Sequence, residues 1–379
     1  MLAESKYKHE LILELRQQLH ALAEPSMQEL KTKALLMQFL REHTSLELVD
    51  CGSWFYAIHK GEGSQAPIAF RADFDAVLCQ DGCARHLCGH DGHSAILAGL
   101  GLALEGLATE RDVYLLFQPA EETGKGAPDF IETGALDGVE RVFGLHSAPD
   151  LPIDTIGITP GLNNAAVDHF RILVHGKAAH VSTPQLGADA LYAASQIVVA
   201  IQGLVTRRTS PVEPVILGVG KFSSGTTYNA IAASAELEGT TRTISQEMRL
   251  QVREWIDQIA GQTAGFSGAE AQVIWTDVTS ALINDPQVSR EVAEAAKGLG
   301  DHIRIITDRP LSLGGDNFAE YQRKVPGCYA YVGTANAQLP GTLNSLHSGN
   351  FDLDEDALVI GAELYAEYAF QWLRKQGRP

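Results

Sequence analysis

The sequence predicts an α/β fold built on a mainly parallel sheet, with a ferredoxin-like α+β domain inserted into it. From residue 67 onward, short apolar segments typical of strands alternate with amphipathic segments typical of helices, as in parallel sheets. Between residues 167 and 280 the order becomes strand, helix, strand, strand, helix, strand, which is self-contained. We therefore expect residues 1–166 and 281–379 to form the larger domain and residues 167–280 the inserted one.

The first elements are expected to be two helices within residues 5–43, because apolar residues recur at helical spacing on both sides of the break AEPS. Pro25 lacks an amide donor and ends the first helix at Ala23 or Glu24. The later strands of the larger domain are expected within 45–60 and at 67–77, 112–120, 139–145 and 329–333. Its later helices are expected at about 92–107, 126–136 and 286–300 and at the end of the chain. Strands at 170–176, 215–222, 234–243 and 271–278 and helices at 188–205 and 245–262 are expected in the insertion.

Composition excludes some classes of partner. The chain carries 47 Asp and Glu against 29 Lys and Arg, a net charge of −18 that argues against nucleic acid or an anionic membrane as a partner. The N-terminus lacks the apolar core of a signal peptide, and no stretch is expected to reach the length of a membrane span, so we expect a cytoplasmic protein. The 5 cysteines are an odd number spread over a long chain, which fits a reducing compartment.

A cysteine and two histidines are crowded together in CGHDGH, residues 88–93 of the segment HLCGHDGH, just before an apolar helical run. The side chains of Cys88, His90 and His93 are of the kinds that bind transition metals at neutral pH. Incidental polar residues at the start of a helix would look the same, and this cluster alone leaves both interpretations open.

Further candidates follow later strand-like segments, where the open edge of a parallel sheet binds ligands. Two aspartates two residues apart share a face of an extended segment. An adjacent pair of glutamates could equally be a solvated start to the next helix, and isolated histidines are often structural. Only convergence in space would make them ligands. These candidates are Asp73, Asp75, Glu121, Glu122, His146 and His347.

Eight motifs, in order, resemble the di-metal aminoacylase and carboxypeptidase family, and most closely its bacterial N-acyl-amino-acid amidohydrolases, hippurate hydrolases and plant auxin-conjugate hydrolases. The resemblance extends from LRQQLHALAEPSMQE near the N-terminus to the final helix. The motifs are RADFDAV, HLCGHDGHSAIL, FQPAEETGKGA, VFGLHSAPDLPIDTIG, HGKAAHVSTP, NAIAASAELEGTTRT, LGGDNFAEYQRKVPG and LHSGNFDLDEDAL.

The resemblance implies two divalent metal ions per subunit, zinc or manganese, with cobalt or nickel as further options. It implies that the Cys88 sulfur bridges them and that Glu121 is the general base and acid that passes a proton from water to the leaving amine. Asp73 stands where many members have a metal-binding histidine, and Asp75 is expected to accept a hydrogen bond from a ligand imidazole. His93 is not expected to be a ligand. The implied ligands are Cys88, His90, Glu122, His146 and His347.

In the inserted domain, the resemblance implies a lid and dimerisation role and a homodimer. His180 matches a histidine that reaches the partner subunit's site and stabilises the oxyanion. Asn229 and Arg242 match positions that hold the substrate's carboxylate. Gly314 and Gly315 lie in a loop expected near the substrate.

Two departures from the family weaken a closer assignment. The segment between Asp75 and Cys88 is shorter than in typical members and carries Cys79 and Cys83, so we expect the rim of the pocket to differ in shape from that of relatives. Asp316 and Asn317 replace the family's usual Glu-Asp pair near the substrate, which puts side-chain specificity in doubt.

The expected function is therefore that of a metal-dependent amidohydrolase that removes the acyl group from a small N-acyl amino acid. The alternatives are a metallo-carboxypeptidase or dipeptidase, which uses the same chemistry on a peptide bond, and a catalytically inactive binding or scaffold protein of the same fold. The sequence has no GxSxG elbow and no GxxxxGK[ST] loop, which argues against a serine hydrolase and a P-loop protein.

Overall fold

The computed structural model describes residues 6–374 of the chain. These residues form two compact units. The first unit contains the chain up to residue 163, residues 283–310 and the chain from residue 317 onward. The second unit contains residues 164–282 together with the short segment 311–316.

Strands and helices are numbered in chain order. The strands are β1 Glu47–Asp50, β2 Phe55–His59, β3 Gln65–Asp73, β4 Val77–Leu78, β5 Ala84–Arg85, β6 Arg111–Gln118, β7 Arg141–Pro152, β8 Thr155–Gly157, β9 Gly161–Asn164, β10 Ala166–His175, β11 Ile216–Ser224, β12 Ser234–Thr243, β13 Glu270–Thr279, β14 Leu282–Asn284, β15 Arg304–Ile306 and β16 Gly327–Ala335. The helices are α1 Lys6–Leu22, α2 Leu30–His43, α3 His90–Leu104, α4 Gly126–Glu132, α5 Ala190–Arg207, α6 Gln246–Phe266, α7 Pro286–Lys297, α8 Phe318–Gln322 and α9 Asp356–Arg374.

The first unit is built on an eight-stranded sheet in the order β1-β2-β6-β3-β7-β16-β8-β15. The central pairs β6–β3, β3–β7 and β7–β16 are parallel, whereas β1–β2 and β2–β6 are antiparallel. Residues 68–73 of β3 are buried without alternation, as in a strand covered on both faces. Every residue of α3 is buried, and the helix packs between α1 and α9. The predicted α/β fold with a mainly parallel central sheet is confirmed.

The strands of this sheet bring the candidate residues to one edge. β3 ends at Asp73, and β6 ends at Gln118, three residues before Glu121. The expectation that the next strand ends at His146 is wrong, because β7 continues to Pro152. Beyond His146, β16 pairs with β7 in parallel as far as Ala148 and, after a register shift, again at Pro152, so β7 does not end at His146.

The second unit contains a four-stranded antiparallel sheet in the order β11-β12-β10-β13. α5 and α6 connect these strands and share one apolar core with them, formed around Phe170, Ile172 and Leu237. This strand order and the two helices are those of a ferredoxin-like βαββαβ unit.

One helix among the described residues, α5, is long and apolar enough to cross a membrane by length and composition. The expectation that no stretch reaches that length is therefore wrong for this segment. Ala194, Ile197 and Ile201 of α5 are buried in the core of the second unit, so its apolar character has a structural cause. The opposite side of the helix exposes Leu191, Tyr192 and Val199.

Candidate metal centre

In the HLCGHDGH motif, Cys88 and His90 flank a glycine that lets the chain approach β7 closely. Gly89 precedes the first residue of α3 and has a φ of +87°, which favours glycine. A Cβ atom at this position would lie 2.5 Å from Ser147 Oγ. The helix therefore begins at His90, earlier than predicted, and Cys88 and His90 are held beside the strand that carries His146.

The five residues expected to bind metal are brought together in the first unit. Cys88 Sγ lies 3.5 Å from His146 Nε2. Glu122 Oε1 lies 3.3 Å from His347 Nε2 and 3.9 Å from His90 Nε2. Donor atoms lie within 4.8 Å of one another in each of the trios Cys88–His90–His146, Cys88–Glu122–His347 and His90–Glu121–Glu122.

Two of the imidazoles are oriented by hydrogen bonds from their outer nitrogens. His90 Nδ1 lies 3.0 Å from Asp75 Oδ1, and because a carboxylate only accepts, the imidazole N–H donates. His146 Nδ1 donates to the backbone oxygen of Ser147 at 2.7 Å. Each ring thus presents an Nε2 lone pair to the cluster, as in metal-binding histidines. Within residues 6–374, the buried His90 Nε2 has no hydrogen-bond partner.

The electrostatics of the cluster fit a cation. Burial raises the pKa of the Cys88 thiol above its usual range, so a thiolate there needs a positive charge nearby. Burial lowers the pKa of His146 well below its ordinary value and keeps that ring neutral. One sulfur, three imidazoles and a carboxylate are the ligand set of zinc and related transition metals. The residues present therefore fit a pair of divalent ions.

His347 has an unusual backbone. Its φ of +62° is uncommon for a residue other than glycine, and its amide N–H donates to the Leu87 carbonyl at 2.7 Å. This bond ties the C-terminal loop to the residue before Cys88. Backbone strain of this kind is typical of functional positions.

His93 also lies near the cluster, because Asp73, His90 and His93 form a further trio with donor atoms within 4.8 Å. Both nitrogens of its ring are already engaged, however. Nδ1 donates to Asp73 Oδ1 at 2.7 Å, and Nε2 accepts from the Ser147 amide at 2.9 Å. No lone pair remains for a metal, which agrees with the expectation that His93 is not a ligand.

The expected general base lies beside its metal-binding neighbour. Glu121 Oε1 accepts a hydrogen bond from the backbone N–H of Asn317 at 3.1 Å. The backbone N–H of Glu122 instead donates to Asp75 Oδ2 at 3.1 Å. Ala120, the residue before them, has a φ of +54°. This sharp turn at the end of β6 sends the two glutamates in different directions.

A buried arginine supports this region, and the sequence analysis did not single it out. Arg71 Nη1 donates to Asp73 Oδ2 and Nη2 to Asn317 Oδ1, both at 2.7 Å, while Nε donates to Gln118 Oε1 at 2.9 Å. The sequence feature that could have indicated its role is a charged residue inside the apolar strand PIAFRAD. A buried cation needs such partners to offset its desolvation.

A second network that the sequence analysis missed joins α1 to the start of α3. The buried Asp91 carboxylate accepts from His20 Nδ1 at 2.7 Å and lies 3.1 Å from Arg16 Nε. Arg16 also reaches Asp352 at 2.8 Å and Glu355 at 3.2 Å. The sequence feature that could have indicated this network is an arginine on the apolar face of α1.

The remaining candidates lie in the second unit. His180 and Asn229 are both exposed. They lie on neighbouring segments, because the Val181 amide donates to the Asn229 backbone carbonyl at 3.2 Å. Arg242 is half-buried, and its Nε donates to the Leu313 carbonyl at 3.1 Å.

The two glycines of the adjoining loop differ in how tightly they are packed. A Cβ on Gly315 would come within 2.5 Å of Thr279 and Val167, so this glycine is required for packing. Gly314 is less crowded, because its nearest neighbour would be Ser312 Oγ at 3.4 Å.

Comparison with known proteins gives consistent matches. The family model described as peptidase family M20/M25/M40 matches residues 69–371. The chain is 34% identical over 377 residues to N-acetylcysteine deacetylase of Bacillus subtilis (strain 168), covering 95% of this chain and 96% of that protein. It is 32% identical over 385 residues to thermostable carboxypeptidase 1 of Saccharolobus solfataricus, covering 96% of both.

A solved structure from Bacillus subtilis, described as a dinuclear metal-binding peptidase of the M20 family, superposes with a TM-score of 0.82. It is 32% identical, and the match covers 97% of this chain and 99% of that one.

Proposed function

The chain belongs to peptidase family M20/M25/M40 and is a metal-dependent amide hydrolase, as predicted, and we propose that it removes the acyl group from N-acyl amino acids. The observation that carries this proposal is the convergence of Cys88, His90, Glu122, His146 and His347, with Glu121 beside them. Among the relatives reported above, the one with the higher identity is a deacetylase that acts on an N-acyl amino acid.

Two divalent ions are supported by this ligand set and by the dinuclear relative. We propose zinc or manganese, because a thiolate favours zinc while metal availability in the cell often decides which ion is loaded. When bound, the ions supply a Lewis acid that polarises the amide carbonyl and lowers the pKa of water.

Glu121 carries the proton transfers in this proposal. Its carboxylate takes a proton from the attacking water, the new C–O bond forms, and the same proton passes to the amide nitrogen as the C–N bond breaks. The products are a carboxylic acid and a free amino acid. The backbone amide of Asn317 donates to Glu121 Oε1 at 3.1 Å, which helps to fix the orientation of this carboxylate.

Substrate binding is proposed for residues of the second unit. The hydrogen bonds of Arg242 to other described residues use Nε and Nη1, which reach Leu313, Thr240 and Thr241. Its Nη2 atom can then bind the carboxylate of the substrate, with Asn229 as a second donor. Gly314 and Gly315 are proposed to shape the loop beside it.

We also propose that the enzyme is a homodimer joined through its second units, with His180 stabilising the oxyanion in the partner's site. The support is an exposed apolar surface on α5, formed by Leu191, Tyr192 and Val199, next to the edge strand β11, which exposes Phe222. All 5 cysteines are free, which supports a reducing, cytoplasmic location.

The test is hydrolysis of N-acetyl and N-benzoyl amino acids and of dipeptides by wild-type enzyme and by Glu121→Gln, with zinc or manganese added. We expect wild-type turnover of N-acyl amino acids. In the variant kcat should fall by about 10²–10⁴-fold, because proton transfer is lost. Its metal content should stay the same.

Three results would contradict parts of the proposal. Faster cleavage of dipeptides than of N-acyl amino acids would favour the carboxypeptidase or dipeptidase alternative. Loss of metal in Glu121→Gln would give Glu121 a structural role. Absence of any turnover by the metal-loaded wild type would favour the inactive scaffold.

A further inference from the structure

Two polar side chains from the turn between α1 and α2 reach the residues behind the candidate metal centre. Ser26 Oγ donates to Asp75 Oδ2 at 2.6 Å, and Glu29 Oε1 accepts from the Ala120 amide at 2.9 Å. Each contact leads to a different part of the centre, since Asp75 orients His90 and Ala120 precedes Glu121.

The Glu29 carboxylate lies in an unusual place for an acid. The residue is only 4% exposed, and burial raises its pKa to about 7. Transfer of a carboxyl group out of water costs free energy unless it gains hydrogen bonds. The hydrogen bond from the Ala120 amide is one of the backbone contacts that offset this cost.

The residue that Glu29 holds is strained. Ala120 has a φ of +54°, where a Cβ atom is disfavoured, and such a conformation persists only where surrounding contacts impose it. Ala120 is fully buried, and its carbonyl accepts from the Lys125 amide at 3.1 Å, so both of its backbone polar groups are fixed. The conformation at Ala120 sets the directions in which the next two side chains leave the chain.

We propose that Glu29 is a positioning residue, which holds Ala120 in its left-handed conformation and so aims Glu121 at the reacting water. Ser26 is its counterpart on the ligand side, because Asp75 Oδ2 also accepts the Glu122 amide. This proposal rests on the proposed function, in which Glu121 transfers the proton. Ser26 and Glu29 thus position residues of the proposed site from behind, through Asp75 and Ala120.

The test compares Glu29→Ala with Glu29→Gln, which keeps an oxygen acceptor for the Ala120 amide. Glu24→Ala is the matched control. Glu24 lies in the same turn, but its side chain accepts from Lys31 and Thr32 at the start of α2. Four quantities are measured for each metal-loaded variant: kcat and KM on an N-acetyl amino acid, metal content, and hydrogen exchange of the peptide that contains Ala120.

We expect Glu29→Ala to lower kcat by about 10-fold to 100-fold, as a misplaced catalytic group does, with KM within about twofold of the wild type. Exchange at Ala120 should become faster while two metals stay bound, and Glu29→Gln should restore most of kcat. Glu24→Ala should lower thermal stability and leave kcat unchanged.

Different results separate the two proposals. Unchanged kcat and unchanged exchange in Glu29→Ala, with Glu121→Gln inactive, would overturn the role of Glu29 alone. Equal losses of kcat in Glu29→Ala and Glu24→Ala would reduce Glu29 to a general structural role. Full activity of Glu121→Gln would overturn the proposed function itself.

Discussion

Asp75 serves several groups with one carboxylate. Oδ1 accepts from His90 Nδ1, while Oδ2 accepts from Ser26 and from the Glu122 amide. The Asp75 side chain therefore contacts two proposed metal ligands, His90 and Glu122, as well as Ser26 of the turn between α1 and α2. Its negative charge also favours the tautomer in which His90 Nε2 is unprotonated.

Replacing Asp75 with alanine should weaken metal binding by about 10-fold to 100-fold, because His90 loses the partner that orients its ring. Competition with a chelator of known affinity measures the change. Ser26→Ala should have a smaller effect in the same direction, since Oδ2 keeps the Glu122 amide. Metal affinity equal to that of the wild type in Asp75→Ala would show that His90 needs no such support.

Short motifs could be interpreted from the sequence at this scale, but their long-range partners could not. HLCGHDGH and PAEE contain residue types whose chemistry is evident. Glu29 and Ala120 lie 91 positions apart, and Arg71 and Asn317 lie 246 apart. Nothing in the spacing of such residues indicates that they meet, because the contact depends on how the whole sheet is assembled.

At the scale of elements, hydrophobic periodicity predicted most helices and strands well, and the errors have local causes. α1 ends at Leu22, one residue before the earlier of the two predicted ends, Ala23 and Glu24, and the break at AEPS does separate the first two helices. α4 stops at Glu132, earlier than the predicted 136, because Gly134 takes a positive φ. β7 is longer than predicted because its partner β16 continues, and pairing between strands is invisible to local periodicity.

The second unit contains a buried charge cluster that should control its stability. Asp168 on β10 is 1% exposed and accepts from Arg249 Nη2 at 2.6 Å and Nε at 2.9 Å. Arg253 pairs with the same carboxylate and with Asp277. Replacing Asp168 with asparagine leaves Arg249 buried without its counter-charge and should cost about 3–5 kcal/mol of the free energy of unfolding. Chemical denaturation of the variant and the wild type measures this difference.

The same cluster predicts a dependence of stability on pH. Burial opposes ionisation of Asp168, but the arginines outweigh it and lower the pKa of this carboxyl below its ordinary value of 3.8. The ion pairs of the Asp168 carboxylate therefore stabilise the folded protein fully above about pH 4, and this contribution is lost as the pH falls through the lowered pKa. The gap in stability between wild type and Asp168→Asn should narrow below pH 4, and a gap that stays constant there would contradict this account.

At the scale of the whole molecule, the net charge of −18 and the exposed apolar side of α5 act in opposite directions on association. Like charge disfavours contact between copies, so a dimer needs a local apolar surface to form. Such a surface would be buried by a second copy of this chain, as exposed apolar patches of this kind commonly are.

Val199→Glu tests this proposal, because it places a charge on a residue of that surface whose side chain is 69% exposed. The variant should be monomeric by light scattering at concentrations where the wild type is dimeric. If His180 acts in the partner's site, kcat should also fall when the dimer is lost in this variant. Leu250→Glu, a comparable change on α6, is the control and should leave the dimer intact. A dimeric Val199→Glu would place the interface elsewhere.

The central claim is that Cys88 and His90 join three ligands from distant parts of the sequence around a pair of divalent ions, with the Cys88 sulfur bound to metal. X-ray absorption at the zinc edge of the fully loaded protein tests it most directly. We predict two zinc ions per chain and a sulfur scatterer at about 2.3 Å that disappears in Cys88→Ser. A spectrum with nitrogen and oxygen scatterers only, or one that is the same in wild type and Cys88→Ser, would contradict the account.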